Sequence, residues 1–245
     1  MANKEKNNIK DEFISTLSHE IRTPLTSIKG FSQTMLSSWD KLDEDKKKEF
    51  LKIILAQSQR LINLTENVLN VAKIDSNSQD IVLVNVDCAL VVKNCIDVVS
   101  INYKDFEFKF EPLGQKLSCL SDVNKTQQIL INIIDNAAKY SINSKVVEIK
   151  VFNECDYNVF SIVNYGSYIE PNKISHIFEK FYRASSYISS ATQGSGLGLY
   201  IAHELALKMD GKIEVKSDKD TLKTEFLVYL PVYEVEKITK KAINK

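Results

Sequence analysis

The spacing of apolar residues along the first seventy positions predicts two long helices. An apolar residue recurs every three or four positions in two stripes, which is the period of one helix face. A polar stretch from Ser37 to Asp43 separates the stripes, and Asp43 is a suitable N-cap for the second helix. Two helices joined by such a turn form an antiparallel hairpin. The first stripe consists of Phe13, Leu17, Ile21, Leu25 and Ile28, and the second of Phe50, Ile54, Gln57, Leu61, Leu64, Val68 and Val71.

The first helix is expected to span residues 9 to about 38 as one long helix that bends at Pro24. A proline has no N–H to donate to the carbonyl four residues earlier, and its ring crowds that carbonyl. On the second helix, Leu51, Leu55 and Leu69 widen the apolar face beyond what a single hairpin covers. A second copy of the hairpin, completing a four-helix bundle, is therefore the favoured partner for this face. The alternative is that the following domain covers it.

The pattern changes at the polar stretch from Ser76 to Asp80, which predicts a boundary between a domain of residues 1–76 and a domain of residues 77–245. In the second domain, helical and alternating periods follow one another, with consecutive strands at the centre and at the end. This order predicts an antiparallel-rich sheet with helices on one face, an α+β layer structure. Strands are expected around 82–86, 106–110, 147–151, 159–163, 213–215 and 226–230, helices around 89–101, 125–140 and 197–209, and an irregular region over 165–195.

Composition and charge exclude several classes of protein. The formal net charge is zero, so no overall charge favours nucleic acid. The apolar runs are too short to cross a bilayer, and the polar N-terminal residues lack the core of a signal peptide. A soluble chain is therefore expected. The four cysteines form no Cys-x-x-Cys pair, so buried free thiols in a reducing compartment, the cytoplasm, are favoured over zinc or disulfides.

One histidine of the first helix is a candidate for chemistry. His19 lies two residues beyond Leu17, about 200° around the helix, so it points away from the apolar stripe. Glu20 places a carboxylate beside the imidazole and can take up its proton. Taken alone, an exposed histidine is more often a plain solvated side chain.

Two amides share one face of the helix predicted around residue 132. Asn132 and Asn136 are four positions apart, and Lys139 and Tyr140 follow one turn later. Amides on an otherwise apolar helix need hydrogen-bonding partners. A magnesium nucleotide supplies such partners. The metal can be ligated by an amide oxygen, and the phosphate oxygens accept hydrogen bonds from a lysine. The alternative is a polar helix edge without a ligand.

The run from Gly194 to Leu199 holds three of the seven glycines and opens a predicted helix. Free backbone N–H groups at such a helix start can face an anion. The run is not a dinucleotide fingerprint, because position 199 is leucine, and it is not a P-loop, because no Gly-Lys-Ser/Thr follows.

Taken together, these motifs resemble those of sensor histidine kinases. SHEIRTPL, which contains His19, is similar to the family's H box, and NIIDNAAKYS is similar to its N box. IFEKFYR, residues 177 to 183, resembles the F box, and Gly194 to Leu199 resembles the second glycine box. The resemblance extends from about Ile9 to Pro231. It implies a helical hairpin that dimerises as a four-helix bundle, followed by an α/β-sandwich ATP-binding domain of the Bergerat type.

The resemblance also implies roles for individual residues. His19 would accept a phosphoryl group from ATP, and Thr23 would orient water for dephosphorylating the response regulator. Asn136 would ligate Mg²⁺. Asn132 stands where hydrolytic relatives carry a glutamate that activates water, and an amide cannot act as a general base, which favours transfer to a protein over hydrolysis. The nucleotide would contact Asn132, Asn136, Lys139, Tyr140, Asn164, Gly166, Arg183, Gly194, Gly196, Leu197, Gly198 and Thr224.

The first glycine box departs from the family's pattern Asp-x-Gly-x-Gly. Asn164 stands where the family's aspartate accepts the adenine amino group, and Tyr168 replaces a small residue. Asn164 can still accept through its carbonyl oxygen, but it lacks the charge. An altered affinity for ATP is therefore expected.

The prediction that follows is ATP-dependent autophosphorylation on His19 and transfer to an aspartate of a response regulator, with ATP and Mg²⁺ as cofactors. Expected partners are a second copy of the chain and a receiver domain, in the cytoplasm, either alone or as the soluble part of a membrane-attached sensor. Two alternatives stay open. One is a binding or phosphotransfer module with a weakened ATP site, supported by Asn164. The other is a regulator phosphatase with little kinase activity, supported by Glu20 and Thr23.

Overall fold

A computed structural model describes the backbone of residues 2–114, 117–182 and 195–233, and the side chains within these ranges from Ile14 onward. The chain divides into two compact units, residues 1–73 and residues 74–245. None of the helices in the described ranges is long and apolar enough to cross a membrane.

The first unit is the expected helical hairpin. Helix α1 spans Ala2–Ser38 and helix α2 spans Glu44–Asp75, with a short 3-10 turn at Trp39–Lys41 between them. The ring of Phe31 packs on that of Phe50 at a centroid distance of 5.0 Å, so the two helices run antiparallel. The predicted cap is confirmed, since the side chain of Asp43 accepts the backbone N–H of Lys46 at 2.7 Å.

The predicted long first helix is confirmed, and the bend expected at Pro24 stays a prediction. Helix α1 is continuous through Pro24 and begins at Ala2, well before residue 9. Pro24 has no N–H to donate to the carbonyl of Glu20, and the hydroxyl of Thr23 donates to the neighbouring carbonyl of His19 at 3.2 Å. Pro24 itself is buried, so packing within the hairpin holds this turn in helical geometry.

The second unit mixes strands and helices in the predicted order. Its strands are β1 (Val84–Asp87), β2 (Glu107–Leu113), β3 (Ser118–Ser121), β4 (Val146–Glu154), β5 (Tyr157–Tyr165), β6 (Lys212–Asp218) and β7 (Lys223–Pro231). Its helices are α3 (Cys88–Ser100), α4 (Val123–Lys139), α5 (Pro171–Ile174) and α6 (Gly198–Lys208), with a 3-10 turn at His176–Phe178.

Five of the strands form one sheet in the order β2-β4-β5-β7-β6. The outer pair β2–β4 is parallel and the other pairs are antiparallel. Helix α4 packs against α3 on one side and α6 on the other, and it contacts β4 and β5. The predicted α+β layer with an antiparallel-rich sheet is confirmed.

The helix-facing side of the sheet is the main core. Phe160 and Ile162 of β5 and Ile129 and Ile133 of α4 are fully buried. Because side chains alternate along a strand, Asn164 lies on the same face as Phe160 and Ile162, two residues beyond the last apolar position. The core therefore ends at a polar side chain.

The cysteine prediction holds for three of the four residues. Cys88, Cys95 and Cys119 are free and buried, but Cys155 is free and exposed. Cys155 has a φ of +53° in the two-residue turn between β4 and β5, where Glu154 pairs with Tyr157. A tight hairpin turn projects into solvent whatever residue occupies it, so burial there was the wrong expectation.

Candidate functional site

The proposed phosphoacceptor lies on the exposed surface of α1. The side chain of His19 is exposed, and the hydroxyl of Thr23, one turn later, donates to the His19 carbonyl. The helix thus presents an imidazole and a hydroxyl on neighbouring turns of the same surface.

The carboxylate of Glu20 is held by the other helix of the hairpin. Nη2 of Arg60 donates to Oε2 of Glu20 at 2.9 Å, and both side chains are little more than one fifth exposed. Within the described hairpin, the imidazole of His19 donates no hydrogen bond to the carboxylate of Glu20. Nη1 of Arg60 is buried and has no partner. Sequence reasoning missed Arg60, because the contact joins residues forty positions apart.

In the second unit, helix α4 presents the two predicted amides. Its N-terminus is capped by Asp122, whose side chain accepts the backbone N–H groups of Asn124 and Lys125. Its buried apolar face packs in the core, which leaves Asn132 and Asn136 half-buried. The helix therefore fixes both amides at the rim of the core.

The start of α6 lies directly beside Asn132. A Cβ added to Gly198 would lie 3.1 Å from Oδ1 of Asn132, a tight contact that shows how closely the start of α6 approaches this amide. Leu197, immediately before the helix, is fully buried and anchors its first turn. The backbone N–H groups that open α6 are thus brought next to the amide of α4.

Two further glycines bring the remaining motifs together. Gly166 has a φ of +136°, and a Cβ there would lie 2.3 Å from the backbone nitrogen of Ile142, just after α4. Gly196 has a φ of +68°, and a Cβ there would lie 2.6 Å from the backbone of Phe181. The N–H of Phe181 donates to the carbonyl of Gly196 at 3.0 Å. The F-box segment and the second glycine box therefore touch backbone to backbone.

The most enclosed polar group at the site is the amide of Asn164. Asn164 is 2% exposed and faces Thr224, its partner across β5 and β7. Nδ2 of Asn164 is buried and has no hydrogen-bond partner. The hydroxyl of Thr224 is already engaged, since it donates to the carbonyl of Ser167 at 2.7 Å. A buried donor without a partner costs about 1–3 kcal/mol, so Asn164 is the described site residue whose hydrogen bonding the fold leaves incomplete.

Asp135, which stands between the two amides in sequence, faces another way. Its carboxylate accepts the hydroxyl of Tyr103 at 3.0 Å. Burial raises the pKa of the Asp135 carboxyl, against the opposing effects of the Tyr103 hydrogen bond and the Lys139 charge. Asp135 is therefore turned away from Asn136. Lys139 lies over the ring of Tyr140 at 5.3 Å.

The structure brings most of the predicted nucleotide residues to one end of the sheet. Arg183 and Gly194 lie outside the described residues. His19, Glu20 and Thr23 belong to the other unit. The residues gathered in the second unit are Asn132, Asn136, Lys139, Tyr140, Asn164, Gly166, Gly196, Leu197, Gly198 and Thr224.

Comparison with known proteins agrees with the description of both units of the chain. Residues 121–234 match the family described as "Histidine kinase-, DNA gyrase B-, and HSP90-like ATPase", and residues 9–77 match "His Kinase A (phospho-acceptor) domain". The sensor protein KdpD of Clostridium acetobutylicum is 31% identical over 86% of this chain. The chain belongs to the sensor histidine kinase family. The family resemblance predicted from the motifs is thus confirmed, and this member spans 23% of the length of KdpD.

Solved structures of other histidine kinases share the fold of this one. The Acinetobacter baumannii kinase AdeS superposes with a TM-score of 0.70 at 21% identity, over 88% of this chain and 98% of AdeS. The kinase ThkA, solved in complex with the response regulator protein TrrA, has a TM-score of 0.69 at 21% identity, over 94% of this chain and 64% of ThkA. At these identities the likeness concerns the fold.

A polar cluster of this kinase was not found by sequence reasoning. Within the second unit, Nζ of Lys180 donates to Oδ2 of Asp75 at 2.6 Å, and the hydroxyl of Tyr200 donates to Oδ1 at 2.9 Å. Burial and the Asp75 hydrogen bond raise the pKa of Tyr200. Asp75 thus joins the segment before Arg183 to the first turn of α6. No local pattern could reveal it, because its members are more than one hundred positions from Asp75.

Proposed function

We propose that this chain is the catalytic core of a two-component sensor that transfers the γ-phosphoryl group of ATP to His19 and then to an aspartate of a response regulator. Residues 1–76 would form the dimerisation and phosphotransfer domain, and residues 77–245 the ATP-binding domain. The observation that carries the proposal is an exposed H-box histidine, within the phospho-acceptor match, in a chain that also carries a glycine-lined and amide-lined site within the ATPase match.

The residues at the end of the sheet fit a magnesium nucleotide. Asn136 would provide an oxygen ligand to Mg²⁺, while Lys139 and the N–H groups that open α6 would face the phosphates. Asn164 and Gly166 would border the base. The fit is supported by Nδ2 of Asn164, which has no hydrogen-bond partner, and by Gly166 and Gly196, whose close backbone contacts with Ile142 and Phe181 bring the motifs together. Tyr140, Arg183, Gly194, Leu197 and Thr224 complete the proposed set.

The chemistry at His19 is a phosphoryl transfer between ATP and an imidazole nitrogen. A bond forms between that nitrogen and the γ-phosphorus, the bond from phosphorus to the bridging oxygen breaks, and ADP leaves. Glu20 takes up the imidazole proton. A carboxylate has about four lone-pair sites, so the ion pair with Arg60 leaves it capacity to accept that proton. The neutral amide of Asn132 cannot activate water, which favours transfer over hydrolysis.

We also propose that the active species is a homodimer. Seven large apolar side chains of the two helices are about half or more exposed in one copy, and Trp39 in the turn between them is half exposed too, so a large apolar surface is left uncovered. A second hairpin would bury this surface as a four-helix bundle. The residues are Ile14, Leu25, Leu36, Leu51, Leu55, Ile62 and Leu69.

A receiver domain is the proposed second partner, and the fold shared with ThkA, which was solved with the regulator TrrA, supports it. The receiver aspartate would approach the exposed imidazole of His19. Phosphatase activity would use the hydroxyl of Thr23 to orient water toward the regulator's phosphate.

The contact between Glu20 and Arg60 leads to a first prediction. We expect Arg60→Ala to slow autophosphorylation about tenfold at an unchanged KM for ATP, because it releases the carboxylate that receives the proton. Arg60→Lys should recover part of the rate, since a lysine can restore the charge but not the fork geometry. The measurement is initial labelling rate against ATP concentration, with Lys52→Ala on the exposed side of α2 as the matched control. A rate unchanged in Arg60→Ala would show that Arg60 does not position Glu20.

Thr23 should separate the two activities of the first unit. Thr23→Ala is expected to autophosphorylate nearly normally but to remove phosphate from the regulator at least about tenfold more slowly, because only that step needs a positioned water. Phosphate loss from a purified phosphorylated regulator measures the second activity. Thr34→Ala, which removes a similar back-bonded hydroxyl further along α1, is the control. Equal loss of both activities would indicate a damaged helix, and unchanged phosphatase activity would remove Thr23 from the mechanism.

The departure at Asn164 and Tyr168 favours one second candidate, a phosphotransfer or binding module with a weakened ATP site. Calorimetric titration of ATP with and without Mg²⁺, followed by a labelling assay, distinguishes the two. Binding with label on His19 supports the kinase, whereas no binding supports the module. Binding and regulator dephosphorylation without label would support the phosphatase.

A further inference from the structure

The end of strand β5 holds a donor that the fold leaves unsatisfied. Nδ2 of Asn164 is buried without a partner, and the residue is 2% exposed. The nearest polar side chain across the strands, Thr224, already donates to Ser167 and hydrogen-bonds with the hydroxyl of Ser217 at 2.9 Å. The NH₂ group of Asn164 therefore has no acceptor among the described residues, which leaves its hydrogen bonds to be completed by something other than this part of the fold.

An amide reads the six-position of a purine differently from a carboxylate. A carboxylate only accepts hydrogen bonds, so it suits the amino group of adenine and repels a carbonyl oxygen at the same place. An amide has one accepting oxygen and a donating NH₂ group. Turned one way it pairs with the amino group and N1 of adenine; turned by about 180° it pairs with the carbonyl oxygen and N1–H of a 6-oxopurine.

Because Asn164 is buried, the difference between an amide and a carboxylate at this position should have a large effect on which purine binds. Ionised carboxylates are the stronger acceptors, so the substitution of the family's aspartate by asparagine weakens the preference for an amino group. Burial increases the cost of a mismatched polar pair, because no water can replace the missing partner. With Asn164, neither purine leaves a mismatched pair.

We propose that the base pocket of this kinase accepts 6-oxopurine nucleoside triphosphates as well as ATP, with Asn164 as the residue that determines this relaxed specificity. The inference rests on the proposed function, because it requires that the purine of ATP lies against Asn164.

The test compares ATP with inosine triphosphate, which differs from it only at the six-position and the adjoining N1 proton. Each is titrated calorimetrically with Mg²⁺ into the whole chain. We expect the two dissociation constants of the unaltered protein to lie within about tenfold of each other. In Asn164→Asp, which keeps the side-chain shape, ATP should bind more tightly and inosine triphosphate more weakly, widening the ratio at least about tenfold.

Asn94→Asp is the matched control, because it adds the same charge at an exposed position of α3. Its ratio of dissociation constants should equal that of the unaltered protein. If the unaltered protein binds ATP and excludes inosine triphosphate by more than about a hundredfold, the relaxed specificity is refuted while the ATP site stands. A ratio unaffected by Asn164→Asp would equally remove Asn164 as the determinant. If neither nucleotide binds, the proposed function fails, and this inference fails with it.

Discussion

A His19→Gln variant incubated with γ-labelled ATP should acquire no acid-labile, base-stable label, whereas the unaltered protein acquires one. Phosphohistidine is the species with this stability, and glutamine has no nucleophilic ring nitrogen. Because His19 is exposed on α1, the replacement removes no core contact and should leave the fold unchanged. The measurement is label retained on the protein after separation under alkaline conditions.

The two other histidines provide the controls for this experiment. An acidic neighbour does not distinguish His19, because His176 lies 2.7 Å from Glu179 and His203 lies 3.5 Å from Glu204. What distinguishes it is the H-box motif around it. His176→Gln and His203→Gln should therefore keep the label. Label persisting in His19→Gln would overturn the assignment.

The second large effect is expected at Asn136. Asn136→Ala should reduce labelling of His19 to background, because it removes the proposed oxygen ligand of Mg²⁺. Alanine is a better helix former than asparagine, so α4 should not be weakened. Nucleotide titration in the presence of Mg²⁺ should show a matching loss of affinity, and the loss should be smaller when Mg²⁺ is left out.

Asn124→Ala is the matched control for Asn136, because it removes an exposed amide from the first turn of the same helix. It should label normally. Sedimentation of Asn136→Ala should show an unchanged dimer, since the proposed dimer face lies on the hairpin. A monomeric or unfolded Asn136→Ala protein would make the residue structural and contradict the metal role.

Local patterns predicted the elements whose apolar faces are long and regular. The helices α3, α4 and α6 lie within two residues of the expected ranges, because a buried helix face repeats in the sequence. Strand β3, Ser118–Ser121, was missed. It has four residues, two of them serines, and it exists because it pairs with β1, whose sequence lies about thirty positions earlier. Pairing over that distance leaves no local signature.

The candidate site likewise has one part that local sequence patterns predict and another that depends on long-range packing. The motifs containing His19, Asn136, Gly196 and Gly198 can be recognised in the sequence. The chemistry of each motif depends on the type and spacing of neighbouring residues, and these are visible without a structure. That Gly198 lies against Asn132, and Gly196 against Phe181, depends on how α4, α6 and the F-box segment pack. The contact with Phe181 requires glycine at position 196, and the sequence does not display that contact.

By itself, the sequence determined the family, the two-part organisation and the identity of the candidate phosphoacceptor, since each depends on residue type and local spacing. Only the tertiary structure decided that Arg60 holds Glu20, and that the Asn164 amide is buried with an unsatisfied donor. Each of these depends on which side chains meet across distant segments. Burial and hydrogen-bond satisfaction are properties of that packing, so they become readable only when the chain is folded.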